Sequence, residues 1–233
     1  MLTLVLLPGM DGTGIFFEDF AALAQPEFDP IIVRYPDDPS RGYAGLESIA
    51  RAALPRDKPF LILGESFSGP IAISIAASNP PGLVGLILCV TFACNPHPLL
   101  PLTTAILKPF PPVRLPSFMQ HRNLFGKYDS PRLRAKLRGV RAAVSQKTLK
   151  ARLEAVASVD VSEPLGRVIV PTLDLRATDD RVVSCASGNH VRKILPQVEI
   201  AEIDAPHLML QTVPQESLAA IRRFVVNKIA ILN

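Results

Sequence analysis

Apolar residues fall along this chain in two alternating rhythms. Leu2 to Leu7, Phe60 to Leu63, Leu83 to Val90 and Val168 to Ala177 are short stretches rich in apolar residues, with Ile31 to Tyr35 and Val198 to Ile203 as two further runs. The near-continuous runs Leu2 to Leu7 and Leu83 to Val90 predict strands buried on both faces of a parallel sheet, because a strand with one wet face would alternate, and the other runs read as further strands. Between them the spacing becomes helical. Ile15 to Ala24, the stretch through Ile71, Ala72, Ile75 and Ala76, the segment leading to Leu195, and Pro214 to Ile229 read as helices. Tyr43 to Leu54 is another, with Leu46, Ile49, Ala50 and Ala53 on one side. Strands alternating with helices in this way predict an α/β protein, a mostly parallel sheet covered by helices on both faces.

The rhythm breaks at Thr91 and resumes at Val168. Pro96 to Pro116 is crowded with proline, which forbids long regular elements. Beyond it, Ser130 to Ala143 and Gln146 to Ala157 read as two helices. Ser130-Pro131 offers the first a cap and a first-turn proline. Leu133, Leu137 and Val140 stripe the first helix; Leu149, Leu153 and Val156 stripe the second. The expected organisation is one core built from residues 1–91 and 166–233, with residues 92–165 inserted as a small helical lid. A chain of 233 residues suits such a unit.

Composition narrows the partners. Hydrophobic residues make up 48% of the chain and mean hydropathy is +0.27, yet no apolar run reaches the roughly 18 to 20 residues of a transmembrane segment. The opening MLTLVLLPG lacks the basic leader and cleavage site of a signal peptide and reads as a core strand. Cys89, Cys94 and Cys185 have neither metal-site nor redox-pair spacing, so no metal is expected and a cytoplasmic location is the simple inference. The formal charge of +4 is concentrated in the insertion. Arg114, Arg122, Lys127, Arg132, Arg134, Lys136, Arg138, Arg141, Lys147, Lys150 and Arg152 lie there against few acids, chiefly Asp129 and Glu154. A solvated helix face is one reading of that charge; a docking surface for an acidic carrier protein or an anionic lipid surface is the other. Nucleic acid is not expected, because no aromatic residues interleave the charges.

Candidate chemistry begins at Gly64-Glu65-Ser66-Phe67-Ser68-Gly69, where an apolar strand turns sharply into a helix. A serine exposed on such a turn, a nucleophile elbow, needs small residues two positions either side, met here by Gly64 and by Ser68 in place of the usual second glycine. An ordinary loop in which Ser66 caps the helix would look similar. The first strand ends in Pro8-Gly9-Met10-Asp11-Gly12-Thr13-Gly14. That loop satisfies neither dinucleotide nor Walker phosphate patterns, which leaves an oxyanion hole as the natural use of its backbone N–H groups. Because a serine hydroxyl is a poor nucleophile at neutral pH, it needs a base and a carboxylate to orient that base. Asp179 and Asp180 follow a late strand, and His207 is the one histidine of four placed after the last strand.

The order serine, aspartate, histidine, each after a strand and with an insertion midway, resembles the α/β-hydrolase superfamily. LPGMDGTG together with GESFSGPIAISIAASNP is most similar to the hydrolase region of phytyl ester synthases and to related esterase-like proteins. The resemblance covers the chain apart from much of the insertion. It implies an α/β-hydrolase fold with a helical lid, and no cofactor. It assigns Ser66 as nucleophile, His207 as base and Asp180, rather than Asp179 or the weaker Asp204, as acid. The backbone N–H groups of Met10 and Phe67 would form the oxyanion hole. The family often has histidine where this chain has Pro8, so any support from that side chain is missing. The implied activity is that of a serine hydrolase cleaving a carboxylic ester, possible substrates being small-molecule acyl esters or thioesters. A thioesterase, an acyltransferase using the same serine, and a non-catalytic binding protein on the same fold are the alternatives. The acyltransferase H-x-x-x-x-D signature is missing. Leu99, Leu100, Leu102, Ile106, Leu107, Phe110 and Phe118 would suit an apolar acyl chain, or else pack the lid onto the core.

Overall fold

Leu4, Val5, Leu6 and Leu7 are wholly removed from solvent, as are Phe60 to Leu63 in the strand beside them, and this paired apolar centre organises the molecule. A computed structural model describes residues 1–97 and 117–229. Within them the strands are β1 (Leu2–Leu7), β2 (Phe28–Ile32), β3 (Phe60–Glu65), β4 (Leu83–Cys89), β5 (Thr172–Ala177) and β6 (Glu199–Ile203). They form a six-stranded sheet in the order β2-β1-β3-β4-β5-β6, and every neighbouring pair is parallel.

The longer helices are α1 (Glu18–Ala24), α2 (Tyr43–Ala52), α3 (Gly69–Ala77), α4 (Ser117–Phe125), α5 (Pro131–Ala143), α6 (Gln146–Ser158), α7 (Cys185–Ile194) and α8 (Pro214–Phe224). Two apolar cores lie on opposite faces of the sheet. One joins Val5, Leu7, Ile62, Leu86 and Leu88 to α2, α3 and α7 through residues such as Leu46, Ile71, Ile75 and Val191. The other joins Leu4, Leu6, Leu61, Leu63 and Ile87 to α1 and α8 through Phe20, Ala24, Leu218, Ile221 and Phe224. Alternate residues of one strand feed opposite faces, as strand geometry requires. The fold is therefore the α/β arrangement expected, covered on both sides.

Several boundaries differ from expectation, three of them markedly. The second strand is Phe28–Ile32, not Ile31 to Tyr35. It is the edge strand of the sheet, where Pro30 is tolerated because one row of backbone groups has no ladder to join. Val33 still donates to the Leu6 carbonyl at 3.0 Å, and Tyr35 then donates to Gly12 in the loop after β1 at 2.8 Å. The fifth strand begins at Thr172, not Val168: Ile169 is 74% exposed, and Pro171 has no N–H to pair. The last α-helix stops at Phe224, and Val225–Ile229 follow as a wider π turn.

Between β4 and β5 stand α4, α5 and α6. Ser130 and Ser145 cap α5 and α6, each accepting from the backbone three residues on. Phe125, Leu133, Leu137, Val140 and Val144 pack on Phe16 and Leu208, which belong to segments following β1 and β6. These helices thus sit over loops at the carboxyl end of the sheet. Some cations of this segment are paired with acids of the core: Arg132 and Lys136 with Asp19 at 2.8 and 3.0 Å, and Lys127, between α4 and α5, with Asp204 at 2.6 Å. Of the stripe expected on α6, Val156 is buried and Leu149 packs against the core, but Leu153 does not. Leu153 is 38% exposed, whereas Thr148, Arg152 and Val156 form the buried face, so Arg152 is not one of the solvated cations. The prolines from Pro98 to Pro116 and the apolar residues Leu99 to Phe110 lie outside the described residues, and Phe118 is exposed.

Candidate active site

β3 ends at Glu65, and the chain turns at Ser66 with φ 50° before entering α3. A left-handed backbone is costly for a residue with a side chain, and it persists only where surrounding contacts hold it. Those contacts are present. Thr91, just beyond β4, donates its hydroxyl to the Ser66 carbonyl oxygen. Gly64 allows the close crossing that the turn needs, since a Cβ there would lie 2.7 Å from the Ser68 carbonyl oxygen and 2.8 Å from Ala72. Ser68, the departure from the usual glycine, is fully buried and donates to the Pro8 carbonyl oxygen.

The three side chains singled out from different strand ends meet in one line. His207 Nε2 lies 2.9 Å from Ser66 Oγ, and His207 Nδ1 lies 2.8 Å from Asp180 Oδ2. A carboxylate can only accept, so Nδ1 carries the proton toward Asp180 and Nε2 is left to accept from the serine hydroxyl. The other oxygen of Asp180 accepts from the backbone of Val182 at 2.7 Å and Val183 at 2.9 Å, which fixes the carboxylate plane. With side chains only 5% and 7% exposed, His207 and Asp180 interact in a poorly screened setting.

The rival residues are engaged elsewhere. Asp179 pairs with Arg181 at 3.1 Å in solvent. Asp204 pairs with Lys127. His97 meets the Val182 carbonyl oxygen at 2.7 Å, His190 bonds Ser162 at 2.8 Å, and His121 faces Asp129 at 3.7 Å.

Met10 stands in the loop after β1, where Gly12 N–H closes a turn on the Gly9 carbonyl oxygen at 3.0 Å. Phe67 follows Ser66, and its ring stacks on Tyr43 with centroids 4.7 Å apart. Among the described residues no loop or turn hydrogen bond to a backbone carbonyl engages the N–H of Met10 or of Phe67.

Several polar residues around the line were not singled out in the sequence. Glu65 is buried beneath the loop after β1; its Oε1 accepts from Gln211 at 3.0 Å, and burial pushes its carboxyl up to about 7. Asp11 accepts from the Thr13 backbone at 2.8 Å, and burial raises its carboxyl as well. Arg152 reaches Met10 from α6. A glutamate ending the apolar run LILGE was a readable signal for the first of these. A cavity of about 370 Å³ borders Asp180, lined also by Thr91, Asp174, Arg176, Ser184, Asn189 and Glu202 among others; its lining includes neither Ser66 nor His207. Among the described residues no cluster of His, Cys, Asp and Glu could hold a metal ion, and no helix is long and apolar enough to cross a membrane.

A parallel sheet with helices on both faces, a strained serine turn after its third strand and a histidine beyond its last strand define an α/β hydrolase. The chain belongs to the alpha/beta hydrolase family, whose model matches residues 4–221. Solved structures of similar fold include a thermophilic esterase from Thermogutta terrifontis with malate bound, at 20% identity and TM-score 0.80, covering 97% of this chain and 90% of that one. The enol-lactonase from Burkholderia xenovorans LB400 is 16% identical with TM-score 0.75, covering 97% and 91%. Proline iminopeptidase from Mycobacterium smegmatis is 17% identical with TM-score 0.73, covering 100% and 91%. At these identities the likeness is one of fold. A search of curated protein sequences found no match.

Proposed function

We propose that the protein is a serine hydrolase that cleaves a carboxylic ester through an acyl-enzyme. The observation that carries this reading is the unbroken hydrogen-bond line from Ser66 through His207 to Asp180, at 2.9 and 2.8 Å. His207 Nε2 takes the proton as Ser66 Oγ attacks the ester carbonyl, and Asp180 stabilises the imidazolium that forms. Negative charge then moves onto the carbonyl oxygen, where the N–H groups of Met10 and Phe67 receive it. As the tetrahedral centre collapses, the carbon–oxygen bond to the alcohol breaks and His207 returns the proton to that leaving oxygen. Water repeats the sequence, giving its proton to His207, attacking the acyl carbon and releasing the acid with Ser66 restored.

The triad geometry serves ester and amide cleavage alike; the ester is the easier of the two reactions, because an alcohol leaves with less help from the acid than an amine requires. A fluorophosphonate probe read by intact mass tests the reading without knowledge of the natural substrate. One probe adduct is expected on the native protein and none on Ser66→Ala. Hydrolysis of p-nitrophenyl acyl esters should fall by about a million-fold in that variant. Turnover that survives the substitution would remove Ser66 from the mechanism.

A further inference from the structure

Arg152 lies 1% exposed on α6, within the inserted helices, and spends its guanidinium on backbone carbonyls of two core loops. Nη1 donates to Met10 at 2.8 Å and to Asp11 at 2.8 Å, while Nη2 donates to Pro36 at 2.9 Å. We infer that Arg152 is a positioning residue for the oxyanion hole, so that the insertion sets the transition-state geometry as well as covering the sheet. The inference rests on the proposed role of the Met10 N–H.

The argument is one of backbone mechanics. Met10 and Asp11 are consecutive, and one nitrogen holding both carbonyl oxygens fixes two successive peptide planes. The N–H of Met10 is attached to the same Cα as the first of those planes. Swinging it toward or away from Ser66 therefore disturbs the bonds to Arg152. Gly12 permits the approach: at φ 73° a Cβ there would lie 2.6 Å from Nη1 of Arg152. The arginine carbon stands 5.9 Å from the Tyr35 ring centroid, and Tyr35 in turn donates its backbone N–H to Gly12 at 2.8 Å.

The same helix is anchored beside this contact. Asp37, next to Pro36, accepts from the Ser145 backbone at 3.0 Å and from its hydroxyl at 2.9 Å, at the cap of α6. Helix, Pro36 loop and Met10 loop are thus tied to one another. Burying a guanidinium costs solvation, and burial pulls the Arg152 ionisation below its ordinary range despite Asp11, Tyr35 and Asp37 nearby. Its Nε has no partner among the described residues. A helix that needed only to pack would be served as well by leucine; the planar fork is what holds the Met10 and Asp11 carbonyls on one nitrogen and the Pro36 carbonyl on the other.

Arg152→Lys and Arg152→Gly test the role, with active sites counted by fluorophosphonate titration so that kcat refers to competent Ser66 alone. The expected result for both is a fall in kcat of about 10- to 100-fold with KM changed less than about threefold, the size expected for a small misplacement at the reacting centre. Binding of an alkyl trifluoromethyl ketone, whose serine adduct carries an oxyanion, should weaken by the same factor. Methylguanidine should restore part of the kcat of Arg152→Gly. Variants that titrate fully and keep native kcat, or whose loss lies only in KM, overturn the inference. So does a parallel fall of melting temperature and titratable sites in both variants, which would make Arg152 a structural strut. A native protein that takes up no probe overturns the esterase reading itself.

Discussion

The Ser68 hydroxyl donates to the carbonyl oxygen of Pro8, joining two positions at which the chain departs from the usual pattern of its family. Serine stands where a second glycine is common, and proline where histidine is common. Having given its proton to Pro8, Ser68 accepts from the Tyr35 hydroxyl 3.1 Å away. The turn after the nucleophile is thereby tied to the loop that carries Met10.

Restoring glycine at position 68 should therefore harm the protein. Ser68→Gly and Ser68→Ala both leave the buried Tyr35 hydroxyl and Pro8 carbonyl unpaired, at a cost of about 1–3 kcal/mol. In a chain of this size each kcal/mol lowers the melting temperature by roughly 2–4 °C. Thermal unfolding followed by circular dichroism measures this. A variant as stable as the native protein would show that the bond contributes nothing net.

Asp180 and Asp179 are adjacent in sequence but differ in surroundings: one is bonded to His207 and two backbone N–H groups, the other faces solvent beside Arg181. Asp180→Asn should lower kcat by about ten thousand-fold, since an amide in that place favours the wrong imidazole tautomer. Asp179→Asn should change it less than about threefold. Steady-state kinetics on one p-nitrophenyl ester compares the two, and a large loss in the Asp179 variant would reverse their roles.

The residues most legible in the sequence were those set by strand ends. Ser66 and His207 could be singled out because an apolar run stops just before each, and strands of a parallel sheet end on one side of it. Asp179 and Asp180 could not be separated by pattern alone, because a one-residue difference in a loop decides which carboxylate turns inward. Pro30 hid the second strand, as its tolerance depends on being at the sheet edge, a property of topology. Arg152 was hidden more completely. Its spacing with Thr148 and Val156 is helical, but a charged residue counts as polar in any periodicity, and the carbonyls that solvate it lie far away in sequence. Glu65 did leave a signal by ending the apolar run LILGE, but its partner Gln211 comes from beyond the last strand.

Thr91 offers a separate test of the nucleophile turn. Its hydroxyl bond to the Ser66 carbonyl oxygen is one of the contacts that hold φ at 50°. Thr91→Val keeps the shape and removes the bond. The turn should relax, with stability falling by about 1 kcal/mol and kcat by roughly tenfold as Ser66 Oγ shifts from His207. Urea unfolding and steady-state kinetics on the same preparation measure both; unchanged kcat would mean that packing alone sets the turn.

Glu65 makes stability depend on pH in a direction opposite to that of a salt-bridged carboxylate. Burial raises its carboxyl from 4.5 to about 7, with Gln211 and His207 pulling it down and Asp11 pushing it up. Between those values the folded protein keeps the proton and the unfolded chain releases it. Rising pH therefore draws the equilibrium toward the unfolded state: the contribution of Glu65 is fully present below pH 4.5, shrinks as pH rises, and is lost once pH passes about 7. A shift of this size corresponds to about 3 kcal/mol. Glu65→Gln keeps an oxygen for Gln211 but cannot ionise, so relative to the native protein it should gain stability at pH 8 and gain little at pH 4. Urea midpoints at the two pH values measure the difference. Parallel pH profiles for variant and native protein would mean that Glu65 is already ionised at low pH and that the neighbouring donors outweigh its burial.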